Sequence, residues 1–102
     1  MAVIAKTDSP NTLLARLKKR IAEGTIRSWS VDDDGDFCHD AAQVKNKCCF
    51  RPEILDTELR FNLKWYKDVS KEPEFRAELH AHAVRMLMIH GGDGVESIEV
   101  TV

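Results

Sequence analysis

Residues 58–66, ELRFNLKWY, constrain this chain more than any other stretch. Leu59, Phe61, Leu63 and Trp65 alternate with Arg60, Asn62, Lys64 and Tyr66. Successive strand side chains point to opposite faces, so this segment needs one dry side and one wet side. A slip of one residue would turn every apolar group into water. The rest of the chain must therefore cover one face of a sheet.

Two segments can supply that cover. SPNTLLARLKKRIAEG, residues 9–24, carries helix punctuation at both ends. Ser9 can cap, Pro10 suits the first helical position, and Gly24 can take the left-handed conformation past the end. Leu13, Leu14, Leu17 and Ile21 share one face; Arg16, Lys19 and Arg20 take the other, with Lys18 at the flank. SKEPEFRAELHAHAVRMLMIHGG, residues 70–92, is the second helix. Glu72, Glu74 and Glu78 favour its N-terminal turns through the helix dipole. Phe75, Leu79, Ala83, Met86, Leu87 and His90 form its core stripe, widened by Val84 and Met88, and Gly91 and Gly92 end it.

The remaining strands are TIRSWSV (25–31), FCH (37–39), KCCFRPEIL (47–55) and VESIEVTV (95–102). DDDGDF joins the first two, with Asp and Gly where a tight connection needs them. Pro52 cannot donate to a ladder, which makes its strand an edge or a bulge there. DAAQVKN reads as one helical turn capped by Asp40, and residues 1–8 as an extended or flexible arm. In the last strand Ile98, Val100 and Val102 point inward, and Ser97, Glu99 and Thr101 outward. The expected fold is α+β: a two-layer sandwich with a mainly antiparallel five-stranded sheet and two helices on one face. Its order is α-β-β-β-β-α-β, the strands lie 5-1-2-3-4, and one domain spans the 102 residues.

Composition narrows the function classes. Hydrophobic residues at 43% and charged residues at 31% indicate a globular chain. A net charge of -2 gives no global pull toward nucleic acid or acidic lipid. The longest apolar run is too short to span a bilayer, so no membrane partner is expected. MAVIAKTDSP lacks the basic and apolar regions of a signal peptide. The three cysteines, Cys38, Cys48 and Cys49, are odd in number, two of them adjacent; this is a poor disulfide framework and points to a reducing cytoplasm.

SWSVDDDGDFCHD, residues 28–40, holds the densest chemistry. Counted from Asp32, acids fall at the first, third and fifth places of an EF-hand loop. Gly35 and Gln43 then stand where that loop needs other residues. Asp34, Asp36 and His39 remain weak candidates for a divalent cation; the plainer reading is an acidic hairpin turn. Zinc on Cys38, His39, Cys48 and Cys49 departs from the usual spacing, because strand neighbours point apart. A nucleophilic Cys38 is disfavoured by the aspartates around it. His82, Met86 and His90 form one helical stripe, but HAHAV is no zincin motif and packing is the plainer role. HGGDG follows a helix rather than preceding one, so it is a cap and turn, not a phosphate loop. No catalytic residue and no cofactor is expected.

Two functions follow. The first is a small cytoplasmic interaction or regulatory module without catalytic activity. It would bind an unidentified protein partner or itself through the polar sheet face (Arg51, Arg60, Asn62, Lys64 and Tyr66) or through an edge strand such as VESIEVTV. The alternative is nucleic-acid binding through Arg16, Lys18, Lys19, Arg20 and Arg27 with the basic sheet residues.

Overall fold

A computed structural model describes residues 1–67 and 69–102. The alternation in ELRFNLKW is realised as β5 (Glu58–Trp65), which pairs along its whole length with β4 (Cys48–Leu55) across a tight turn at Asp56 and Thr57. The two short strands β2 (Trp29–Val31) and β3 (Phe37–His39) form the hairpin expected around the aspartates, and Gly35 there has φ +85°. The helices are α1 (Pro10–Ala22) and α2 (Pro73–His90). The last strand is β6 (Ser97–Thr101).

The class is α+β as expected, but the sheet has six strands, not five. The added strand is β1 (Ala2–Lys6), in the segment expected to be an arm. It lies between β5 and β6, antiparallel to both, in the order β2-β3-β4-β5-β1-β6. The element order is therefore β-α-β-β-β-β-α-β. The expected strand order 5-1-2-3-4 is corrected with it: the last strand joins β1 at the opposite edge from β2. The physical reason is burial. Ala2, Val3, Ile4 and Ala5 are all buried, and a strand hidden on both faces shows no alternation to read.

Both helices lie on one face of the sheet. Leu13 and Leu17 of α1 and Leu79, Ala83, Met86 and Leu87 of α2 meet Val3, Ala5, Phe50, Leu59 and Phe61 in one core. Phe37 packs edge-on against Phe61 (centroids 5.1 Å apart), and Trp29 joins the aromatic group. Fully burying each such ring is worth about 2–3 kcal/mol relative to leaving it exposed. The register follows the alternation of β5: Leu59 and Phe61 are fully buried, whereas Arg60 and Lys64 reach the opposite, uncovered face.

Several local expectations change. Of TIRSWSV only residues 29–31 are strand; the amides of Thr25 and Ile26 bond back to the Arg20 carbonyl, so the chain wraps the end of α1 first. Ser9 stands at the N-cap of α1 without a side-chain cap bond. Residues 42–47 form turns that bury Val44, and the Ala41 amide donates to His39 Nδ1 rather than being capped by Asp40. Met88 does not widen the core stripe: it is 74% exposed. Pro52 sits in β4 beyond the short reach of β3, so its missing donor faces no partner strand.

Candidate functional site

The uncovered sheet face carries the residues singled out for partner binding, and it is already knitted together. Asp36 immediately precedes β3 and its side chain is 1% exposed on this face. Arg51 of β4 donates to it through Nε and Nη2 at 2.9 and 3.1 Å, and Lys64 of β5 through Nζ at 3.0 Å. These bonds, Arg51 first, hold the Asp36 carboxyl below its ordinary value against the opposing effect of burial. Further along, Glu58 accepts from Lys6 and Arg60, which lowers its pKa in the same way. Asn62 donates to Glu53 at 3.1 Å. Four of the five expected docking residues, Arg51, Arg60, Asn62 and Lys64, thus have their charges or amides answered within the chain.

The fifth, Tyr66, lies against sulfur. Cys38 and Cys49 face each other across β3 and β4 with Cα atoms 4.6 Å apart, and they form a disulfide. The Tyr66 hydroxyl is 2.9 Å from Cys49 Sγ. This corrects the reading of the cysteines as a poor framework. Spacing along the chain does not expose the pair; the facing register of the two strands does. Cys48 points to the core instead, and burial pushes its thiol up to about 11. The soft ligands imagined for zinc are therefore divided between a disulfide and the interior.

The membership of the cation candidate changes. Asp34 and Asp36 gather with Asp32, not with His39, whose side chain lies on the helix-covered face beside Trp29. Asp32 Oδ1 accepts the amides of Asp34 and Asp36 at 3.0 and 2.9 Å, and Asp36 is taken by Arg51 and Lys64. The carboxylates are explained by turn formation and ion pairing.

The five bases of the nucleic-acid reading are not brought together as one free patch. Arg16 donates to the Gly91 carbonyl, and Arg20 Nη1 lies 3.4 Å from His90 Nδ1, so both serve the C-terminal end of α2, where cations are favoured. Lys19 pairs with Glu23 at 3.8 Å. Lys18 and Arg27 are exposed and form no ion pair among the described residues.

The two edges of the sheet differ. The β2 edge is three residues long and runs into the acidic turn, a blunted edge. The β6 edge is five residues long and has β1 on one side only. Beside it, an open, mainly apolar groove of about 450 Å³ runs between α2 and β6, lined by Val84, Leu87, Met88, Val95, Ile98 and Val100 together with Gly92, Glu96 and Ser97. Val100 is 48% exposed. The sequence marks β6 as an edge candidate; the matching flank of α2 is missed, because Val84 and Met88 read as core. No family model, curated protein or solved structure matches the chain.

Proposed function

We propose that this chain is a non-enzymatic interaction module that assembles with a second copy of itself through β6 and the adjoining flank of α2. The observation that supports the reading most is the contrast between the sheet edges: one is blunted, the other open and apolar. A second copy suits β6 because the strand is self-complementary. A two-fold axis through Val100 sets Val100 against its own copy, Ile98 against Val102, and Glu99 against Thr101. No like charges then face each other, and the apolar residues share the helix-covered side. Val84 and Met88, which line the groove beside β6, continue along α2 through Ala81 and Ala77 as an uncharged stripe along which two helices could approach closely. The open sheet face carries less of the proposal, since its bases already have partners.

The cytoplasm expected from the cysteine count loses its ground, because the Cys38–Cys49 bridge favours an oxidising compartment and the buried Cys48 thiol argues for neither. Among the described residues no helix is long and apolar enough to cross a membrane. Nucleic-acid binding remains the weaker proposal, because Arg16 and Arg20 serve α2 and Lys19 is paired.

Sedimentation equilibrium over a wide concentration range tests the assembly. Twice the 11.6 kDa chain mass is expected. Val100→Lys and, separately, the more exposed Met88→Glu should each return the monomer with the circular dichroism unchanged. A monomer at the highest concentrations, or a dimer indifferent to both changes, would remove the reading.

A further inference from the structure

Between β2 and the C-terminal half of α2 lies a cleft of about 560 Å³ that the assembly above does not use. Its lining is unlike the rest of the surface. Arg27, Arg85, His39, His82 and His90 line it together with Trp29, and among the described residues no carboxylate does. This occurs in a chain whose net charge is -2. On the open sheet face Lys6, Arg51, Arg60 and Lys64 each have a carboxylate partner. Arg27 and Arg85 have none among the described residues, and both are exposed. Concentrating like charges costs free energy that an anion would return.

The histidines add donors and a flat wall. His39 and His82 stack with centroids 3.9 Å apart and planes 12° from parallel, and Trp29 meets His39 edge-on at 4.9 Å. His39 Nδ1 accepts the Ala41 amide at 3.0 Å, which leaves its Nε2 to carry the proton. The other charged neighbours are Glu78, 3.4 Å from His82, Asp40 beside His39, and Arg20 against His90. A cleft of this volume is large for a bare phosphate ion and suits a ligand with an organic body.

We infer that this cleft binds a small phosphomonoester carrying a planar ring, of nucleoside monophosphate size, with Arg27 and Arg85 meeting the phosphate and the Trp29, His39 and His82 wall meeting the ring. Guanidinium groups match phosphate oxygens in charge and in hydrogen-bond geometry. A small ligand is favoured over a nucleic-acid strand because the basic lining does not continue as a track: Arg16 is tied to Gly91, Arg20 to His90 and Lys19 to Glu23.

Calorimetry and amide and indole NMR at slightly acidic pH test this, with AMP, adenosine, inorganic phosphate and a short single-stranded oligonucleotide as probes. AMP should bind more tightly than inorganic phosphate, adenosine should not bind measurably, and the Trp29 indole and His82 signals should move. Replacing both bases, Arg27→Ala with Arg85→Ala, should weaken AMP about tenfold or more, with the melting temperature unchanged because both side chains are exposed. Arg85→Gln alone should give a smaller loss in the same direction. The assignment is overturned if AMP produces neither heat nor shifts, if adenosine binds as well as AMP, if the double variant binds AMP unchanged, or if the oligonucleotide binds more tightly than AMP.

Discussion

Asp36 shows how a single side chain can look like a cation ligand in a sequence and serve an ion pair in the fold. It is buried, yet two cations from two neighbouring strands reach it. Asp36→Asn keeps the shape and removes the charge, leaving Arg51 and Lys64 side by side without their shared anion. Both cations are partly exposed, which screens the effect; about 2 kcal/mol of destabilisation is expected, read from the urea midpoint. Acid should act in the same direction. The folded pKa of Asp36 lies below its ordinary 3.8, so its contribution is present above that pH and is lost as the pH falls through the lower, folded value. The wild type should therefore lose stability more steeply in that acid window than D36N does. The sequence displayed the aspartates and the turn they build. It could not display the pairing, because Arg51 and Lys64 lie 15 and 28 residues away and meet Asp36 only once three strands are in register.

At the scale of elements, what was legible followed periodicity. α1, α2, β4, β5 and β6 each show one apolar side, and each forms close to where the pattern places it. β1 was not legible, since AVIAK is short and buried on both faces and so carries no period of two. The join between β3 and β4 was equally hidden. These strands share a short ladder, with Phe37 opposite Phe50, and the Cys38–Cys49 bridge stands directly beside it. A covalent link across so little backbone pairing should matter to the hairpin. For a sequence separation of 11 the loop-entropy treatment assigns the bridge about 3 kcal/mol. Reduction by a dithiol should lower the unfolding free energy by up to that amount. Under denaturing, non-reducing conditions, alkylation should tag Cys48 alone; three tags before reduction would show the bridge absent.

The whole molecule holds three histidines whose folded pKa values lie below the ordinary 6.5, burial being the first cause in each. His39 also feels His82, with Asp40 and Glu78 opposing. His90 also feels Arg20. His80 feels Arg76 and the N-terminal amine; its Nδ1 donates to the Arg76 carbonyl at 2.6 Å, and its buried Nε2 has no partner among the described residues. Protonating His80 would bury an unanswered charge against Phe50, whereas His39 and His90 border an open cleft. The sign of the linkage is common to all three. Stability is present above pH 6.5 and is lost as the pH falls through the folded values, because the unfolded chain takes up these protons more readily. Thermal melts should therefore drop between neutrality and about pH 5, before Asp36 begins to titrate. His80→Leu should remove part of that slope whatever ligand is present. Saturating AMP should flatten only the part that belongs to His39 and His90, since an anion in the cleft favours their charged forms and cannot reach His80. A slope untouched by AMP in the wild type, beside full sensitivity to His80→Leu, would place the acid response entirely in the core.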